Sequence, residues 1–276
     1  MERSAVTIQE WYVDWQNREH AAAFDVRHAL TDWQLLKIYE SFSDVQLLRE
    51  KVPPDQKKSL LEVGCATGDF YRYLRLRLPG LNYRGLDISQ TAIARAQEKY
   101  PNAAFHRIGP GDPLTEKAEI VYSKDVVHHQ VRPLEFVSDL LGAASETLIF
   151  RTRTRDVGPT LADPELSCQF HYQGWMPYIV INLEELLGHI HGKTPRAEVI
   201  VYRNHRVLGG LENRFLPKEC YLPETGTAET TVGVFLKTGS PGRTHVEDRK
   251  DMNPQYPWTY RLRNYAHRAW LGFTGR

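Results

Sequence analysis

Cysteine is scarce in this chain of 276 residues, which has only Cys65, Cys168 and Cys220. Three cysteines cannot build a disulfide framework, and no C-x-x-C pair indicates a zinc site. No apolar run approaches the ~20 residues that a membrane span needs. The first twenty residues carry four acidic side chains and lack the apolar core of a signal peptide. These absences favour a reduced, cytoplasmic setting.

An excess of charge of one sign is also missing. The formal net charge is +1, from 35 Lys and Arg against 34 Asp and Glu. This balance gives no general argument for a nucleic-acid partner or an anionic membrane, and no separate basic nucleic-acid module is visible. The chain also lacks internal repeats, and its length allows one elaborated domain or a domain with an appendage.

The most informative segment that is present runs from Leu60 to Phe70. A short apolar run enters a turn with Gly64 and Gly68, and a helical pattern follows. About twenty residues later, Gly85-Leu86-Asp87 reads as a second strand that ends in a carboxylate. A strand, a glycine turn, a helix and an acidic strand end together hold an adenosine-like ligand.

The spacing of the glycines in this turn distinguishes between classes of nucleotide cofactor. Dinucleotide sites favour G-x-G-x-x-G, whose middle glycine makes room for a pyrophosphate, and Ala66 stands at that place here. A P-loop is excluded because no Gly-Lys-Ser/Thr follows. The turn therefore suits a nucleoside without phosphates, of which S-adenosylmethionine (SAM) is the common one. An NAD-dependent enzyme is the less favoured alternative.

With Glu62, Gly64, Gly68 and Asp87 in place, the chain resembles the class I SAM-dependent methyltransferases. The stretch 119–129 looks like the fourth strand of that family and the D-x-V-x-x-x-x-x-L-H-H segment that follows it. Glu119 stands where the family usually has Asp, and Val127 where it usually has Leu. The resemblance covers roughly residues 58 to 150.

The resemblance implies a cofactor site in which the glycine turn meets the methionine part of SAM and Asp87 holds the ribose. The family often places an acidic residue after the third strand, where Gly109 stands here. Asp112 serves instead if the loop bulges, and otherwise it is a solvated loop carboxylate. The expected cofactor residues are Glu62, Gly64, Cys65, Ala66, Gly68, Asp87, Ile88, Asp112 and Ser123.

Alternation of strands and helices predicts an α/β fold with a parallel sheet covered on both faces. The family adds that the sheet is seven-stranded, mostly parallel and twisted in the Rossmann-like manner, with an antiparallel late strand. We expect a helical N-terminal cap over residues 1–50, a core over 51–240 with an insert at 153–180, and a basic aromatic tail over 241–276, which begins as a linker. The tail is expected to dock on its own domain or on a second subunit of a homodimer, more than on a membrane surface.

The catalytic candidates follow the fourth strand, because reacting groups in open α/β sheets lie beyond the carboxyl ends of the strands. His129 is the first choice as base, since histidine titrates near neutrality. The alternative is that it only orders the loop near SAM. His128 stands beside it, and Asp125 either orients an imidazole, contacts the acceptor or merely starts a helix. No second set of ligands accompanies this cluster, so no metal is expected.

Candidates for substrate binding follow the fifth strand. Arg151, Arg153 and Arg155 alternate and so share one face of that strand. They form either a clamp for an anionic acceptor or a solvated strand end with local acidic partners. The aromatic residues of the insert are candidates for a pocket wall or for packing within the insert: His171, Tyr172, Trp175 and Tyr178.

These patterns predict methyl transfer to a small-molecule or saccharide acceptor, with oxygen favoured over the nitrogen of a small amine. Enzymes of this fold that methylate nucleobase amino groups carry N/D-P-P-Y/F after strand four, whereas residues 123–126 read Ser-Lys-Asp-Val. A SAM-binding domain without catalysis, with a regulatory or partner role, remains the alternative from a different class.

Overall fold

The structure, a computed structural model, describes residues 30–171, 174–210, 214–221, 226–237 and 242–249, without the side chains of 171 and 174. Its centre is one nine-stranded sheet. The strands of this sheet are β1 (Ser59–Val63), β2 (Asn82–Asp87), β3 (Ala104–Arg107), β4 (Ala118–Lys124), β5 (Ala144–Arg155), β8 (Ile181–Asn182), β9 (Glu198–His205), β11 (Ala228–Phe235) and β12 (Thr244–Asp248).

The order of strands along this sheet is β12-β9-β11-β5-β4-β1-β2-β3, and the short β8 pairs with β5. Strand β11 runs antiparallel to both β5 and β9, and the other pairs are parallel. The seven strands from β3 to β9 in this order are the predicted mostly parallel sheet with its antiparallel late strand, so the predicted fold is confirmed. Strands β8 and β12 are additions to it.

Six helices cover the two faces of the sheet within the described ranges: α1 (Asp32–Tyr39), α2 (Ser43–Lys51), α3 (Asp69–Arg77), α4 (Gln90–Lys99), α5 (Pro133–Ala143) and α6 (Leu183–Lys193). Helices α1 to α4 pack their apolar residues on one face, and α5 and α6 pack theirs on the other. Thr31, Ser89 and Asn182 cap α1, α4 and α6 by accepting a hydrogen bond from a backbone N–H in the first turn. None of the described helices is long and apolar enough to cross a membrane.

The insert after β5 forms a second, smaller sheet. Strands β6 (Cys168–His171) and β7 (Gly174–Pro177) make an antiparallel hairpin, and β10 (Arg214–Phe215) pairs with β6. Because strand residues alternate between faces, Gln169, Met176 and Arg214 share one face, while Phe170, Trp175 and Phe215 share the other. The insert predicted at 153–180 therefore contains the two strands of a hairpin.

The predicted linker after residue 240 was wrong in part, because β12 lies inside it and extends the sheet beyond β9. Its five residues carry a single apolar side chain, Val246, and most are exposed. The strand depends on backbone pairing and on the contact of Arg203 with Asp248, at 2.9 Å. Such a strand lacks the apolar alternation that strand prediction depends on.

The turn after β1 is fixed by backbone conformation and close packing. Gly64 has φ +87° and Gly68 has φ +81°, both in the left-handed region that favours glycine. A Cβ on Gly64 would collide with the side chain of Val126, and a Cβ on Gly68 would lie 2.7 Å from the ring of Phe105. Both glycines are thus required by the fold itself.

Replacing Gly64→Ala should lower the free energy of unfolding by about 2–4 kcal/mol, because left-handed strain and the collision with Val126 add. Denaturant titration measures the change. Gly142→Ala is the matched control, since nothing lies within 4 Å of its added Cβ and its φ is not in the left-handed region; its stability should be unchanged or slightly higher. Equal stability of the two variants would contradict the assigned strain.

Candidate active site

A cavity of about 360 Å³ opens at the carboxyl ends of β1, β2 and β4. One end is lined by the turn after β1, by the end of β2 and by the loop 108–112. The other end is lined by residues that follow β4, by Tyr39 of α1 and by the inner face of the small sheet. The position agrees with the general rule for ligands in open α/β sheets.

The turn presents its backbone and one hydroxyl to the cavity. Gly64, Cys65, Ala66 and Thr67 all line it. Ala66 has φ +47°, which is uncommon for a residue with a Cβ. The Oγ1 atom of Thr67 is buried and makes no hydrogen bond within the described part of the chain. A buried hydroxyl of this kind needs a partner, and a ligand in the cavity would supply one.

Asp87 ends β2 at the wall of the cavity. Its Oδ2 accepts from the N–H of Ala66 and its Oδ1 from the N–H of Ser89, both at 2.8 Å. Burial raises the pKa of the Asp87 carboxyl, and the backbone N–H donors oppose that rise. Each carboxylate oxygen keeps acceptor capacity beyond these bonds, so the group is oriented to take ribose hydroxyls.

Glu62 and Cys65 lie at the inner wall of the cavity. Burial raises the pKa of Glu62 to about 8, although the Tyr83 hydroxyl donates to it at 2.5 Å. Burial also raises the pKa of the Cys65 thiol. At neutral pH both groups are therefore mainly protonated, and neither adds a full negative charge to the wall.

The loop after β3 places Asp112 at the same end. Its Oδ2 accepts from the N–H of Gly109 at 2.9 Å, and both residues line the cavity. The Asp112 carboxylate thus lies next to Gly109, the position at which the family often has an acidic residue. Ile88 also lines this end. With the glycine turn, the Thr67 hydroxyl and Asp87, these residues fit SAM as a ligand.

His129 lies at the other end, in the short 3-10 turn Val127–His129. Its Nδ1 lies 2.7 Å from the carbonyl oxygen of Pro177. This contact requires the proton on Nδ1 and leaves Nε2 as the acceptor nitrogen. Burial lowers the pKa of His129 to about 4, with Arg153 adding to the effect and the Pro177 carbonyl opposing it. The ring is neutral at physiological pH.

Asp125 lines the cavity close to His129 and adopts φ +58°. Its Oδ1 accepts from Arg153 at 2.9 Å and lies 3.8 Å from Arg151 Nε. Burial would raise the pKa of this carboxyl, but Arg153, Arg151 and Lys124 outweigh burial and hold it well below its ordinary value. Asp125 is therefore a fixed anion and a poor proton acceptor.

Part of the sequence matches known proteins. Residues 61–146 match the family model described as a methyltransferase domain. Over 58 residues the chain is 34% identical to the demethylmenaquinone methyltransferase of Chlorobaculum parvum, a match that covers 21% of this chain and 24% of that enzyme. The chain thus matches about a quarter of the length of this curated relative.

Two solved structures share the fold. The phosphoethanolamine N-methyltransferase 2 of Haemonchus contortus, in complex with phosphomonomethylethanolamine and S-adenosylhomocysteine, superposes with a TM-score of 0.56 at 13% identity, covering 84% of this chain and 61% of that one. The complex of DhpI with S-adenosylhomocysteine gives 0.50 at 14% identity, covering 87% and 99%. At these identities the likeness establishes the fold alone.

Residues 61–146 form a methyltransferase domain. The matched segment contains the glycine turn, Asp87 and Asp125, which all line the cavity.

Two expected cofactor residues of the methyltransferase domain do not line the cavity. Gly68 precedes α3 and packs against Phe105, so its part is structural. Ser123 is fully buried, and its hydroxyl donates to the carbonyl of Val63 at 2.9 Å, which ties β4 to β1. In β4 the cavity is instead reached by Lys124, because successive strand residues point to opposite faces.

The expected substrate residues are mostly placed elsewhere. Arg151 and Arg153 are buried outside the cavity lining and are paired with carboxylates. This is the placement of a strand end with local acidic partners, although the strand end is buried and not solvated. Tyr178 is buried, and its hydroxyl accepts from Arg153 at 2.9 Å. Trp175 lies on the outer face of the small sheet. Tyr172 and the side chain of His171 lie outside the described residues.

His128 also turns away from the cavity. It is buried and packs edge-on against Tyr178, with 5.0 Å between the ring centroids. Burial and the neighbouring His129 lower the pKa of His128 well below its ordinary value. A base that takes a proton from an acceptor must reach it, so His129 is the better placed of the two histidines.

Several cavity residues were missed from the sequence. Tyr39 lies within the predicted helical cap, but nothing in the sequence singled it out as a cavity residue. Gln169 and Met176 reach the cavity only through the pairing of β6 with β7. No local pattern marks them, because their common face depends on the register of the hairpin.

Replacing Asp87→Asn should weaken the binding of S-adenosylhomocysteine about 10- to 100-fold. The amide turns one acceptor into a donor that faces a backbone N–H, and hydrogen bonds to charged groups contribute about 1.5–3 kcal/mol. Isothermal titration calorimetry measures the change. Glu116→Gln, which alters a carboxylate paired with Arg84 outside the cavity lining, is the control. Unchanged affinity in a folded Asp87→Asn protein would remove Asp87 from the site.

The buried neutral His129 should make the fold sensitive to acid. Unfolded histidine titrates near 6.5 and folded His129 near 4, so between these values the unfolded chain binds the extra proton. Stability should therefore fall by about 3 kcal/mol as the pH drops from 7 to 4. Urea titrations at several pH values give the free energy of unfolding of wild type and of His129→Gln. The difference between the two proteins should change with pH by the contribution of His129. His106→Gln, at an exposed position in β3, should leave the pH dependence of the unfolding free energy unchanged. The same pH dependence in His129→Gln as in wild type would refute a buried neutral His129.

Proposed function

We propose that this protein transfers a methyl group from SAM to an oxygen atom of a small-molecule acceptor, with His129 as the base. SAM, when bound, supplies a methyl group activated by its sulfonium centre. The chain must then hold the acceptor, remove its proton and exclude water. The observation that carries the proposal is His129 Nδ1 fixed on the Pro177 carbonyl, which gives a neutral ring whose Nε2 accepts a proton.

The low pKa of His129 narrows the acceptor class. A base with a pKa of about 4 is weak and takes a proton most effectively from an acidic hydroxyl, as in a phenol or an enol. A sugar hydroxyl is much less acidic. We therefore favour a phenol-like acceptor over a saccharide.

The helical segment before β1 supports a cap over this site. Tyr39 at the end of α1 lines the cavity, and its ring packs against Phe70 with 5.5 Å between centroids. Phe70 begins α3 and lines the cavity too. We propose that α1 covers this side, which would help to exclude water. Residues 1–29 of the predicted cap lie outside the described residues.

Methylation of a small amine is the second candidate, and Asp125 is the observation that favours it. Its carboxylate is 37% exposed, lines the cavity and is held ionised by Arg153 and Arg151. A fixed anion beside a neutral imidazole suits a protonated amine, which needs a counter-charge for binding and a base for its proton.

Incubation with methyl-labelled SAM and matched phenol and amine panels tests the proposal. His129→Gln should lower kcat for a phenol about 100-fold or more and leave the affinity for S-adenosylhomocysteine unchanged. The control is His106→Gln, the same substitution outside the cavity lining, which should leave kcat unaltered. Full activity of His129→Gln would refute the role of the base.

The same panels separate the alternatives. Preferred turnover of amines, with a rise in KM in Asp125→Asn, would favour the second candidate. Because Asp125 also pairs with Arg153, the affinity of that variant for S-adenosylhomocysteine must be measured beside its kinetics. Binding of SAM without transfer to any acceptor would favour the non-catalytic domain.

A further inference from the structure

The outer face of the small sheet exposes three packed aromatic rings, which we call the aromatic patch: Phe170, Trp175 and Phe215. They are 40%, 43% and 49% exposed. Trp175 lies 5.3 Å from Phe170 and 5.3 Å from Phe215, measured between ring centroids. Three contacting aromatic rings on one exposed face form an apolar surface of the kind that marks a binding site.

This patch is not part of the cavity. The other face of the same hairpin presents Gln169 and Met176 to the cavity. Below that face, Arg214 lies over the ring of Tyr178 at 4.3 Å, and Tyr178 accepts from Arg153. The small sheet is therefore a wall with the acceptor end of the cavity on one side and the aromatic patch on the other.

We propose that the C-terminal segment of this chain, residues 250–276, docks on the aromatic patch. The segment is rich in the matching residue type, with six aromatic residues in 27. Trp258, Leu262, Tyr265, Ala269 and Phe273 recur at spacings of three and four, which would place them on one side of a helix.

The segment begins at the same end of the large sheet as the insert that carries the aromatic patch. Strand β12 runs parallel to β9, and the N–H of Arg249 bonds to the carbonyl of Arg203 near the carboxyl end of β9. Three strand spacings of about 4.8 Å separate β12 from β5, or ~14 Å. Eight extended residues after Arg249 span up to ~26 Å, so Trp258 can reach the small sheet above β5.

Charge favours the same occupant. Residues 250–276 carry five Lys and Arg side chains against Asp251. Exposed carboxylates lie next to the strands of the patch in sequence, with Asp163 and Glu165 before β6 and Glu219 after β10. Glu219 lies 3.9 Å from Arg155, which offsets one of these charges. Acidic residues that neighbour the patch in sequence favour a basic segment over an acidic one.

Hydrogen exchange of the full chain, read by mass spectrometry, tests the docking. Amides in 258–273 should exchange at least tenfold more slowly in wild type than in Trp175→Ser/Phe215→Ser. Conversely, Leu262→Ser/Phe273→Ser should speed exchange in β6 and β7. Trp33→Ser removes a 69% exposed aromatic residue from α1 and should change neither region.

Other occupants give distinct results, and each would overturn the proposal. Protection of 258–273 that is lost on dilution, together with a halving of the mass in light scattering, would assign the patch to a second copy. Protection only with vesicles of anionic lipid would assign the segment to a membrane. No protection in wild type, or protection that survives Trp175→Ser/Phe215→Ser, would exclude docking on the patch. None of these readouts depends on methyl transfer.

Discussion

A buried cluster of ion pairs lies at the carboxyl ends of β4 and β5. It holds together the acceptor half of the molecule, by which we mean the side that carries Asp125 and His129 and where we propose that the acceptor binds. Arg151 contacts Glu229 of β11 and lies 3.7 Å from Asp44 of α2. Arg153 joins Glu229 at 3.2 Å and Asp125 at 2.9 Å. Removing one partner from a buried pair costs about 3–5 kcal/mol, because the other charge stays buried and unpaired. The cluster therefore fixes α2, β4, β5 and β11 relative to one another.

The same cluster determines which charges the cavity presents. Asp44 takes a hydrogen bond from Tyr122 and lies 3.7 Å from Lys124, whose ammonium group sits over the ring of Phe42. Because Asp44, Asp125 and Glu229 offset Lys124 and the two arginines, the strand of arginines is part of the scaffold. An arginine clamp would have implied an anionic acceptor. Because these arginines are paired within the protein, they do not require one.

The sequence was sufficient to predict the strand, the glycine turn and the carboxylate that line one end of the cavity, because these features are local. Gly64, Asp87 and their strands lie within one β-α-β unit, and the spacing of the glycines reflects a backbone conformation that few residues adopt. The acceptor half depends on partners far along the chain. Nothing near Arg151 signals Asp44 or Glu229, and nothing near Gln169 signals that the β6–β7 register turns it to the cavity while Trp175 faces outward. Long-range pairing of this kind is invisible to patterns of a few residues.

The two ends of the cavity are built on different electrostatic principles. At the cofactor end, burial keeps Glu62 protonated while backbone N–H groups orient Asp87. At the acceptor end, arginines keep Asp125 ionised while burial keeps His129 neutral. A fixed carboxylate cannot take a proton at neutral pH, and a neutral imidazole can. In the proposed reaction this pair would separate binding of the acceptor from removal of its proton, and the ion cluster underlies both charge states because Arg153 acts on both groups.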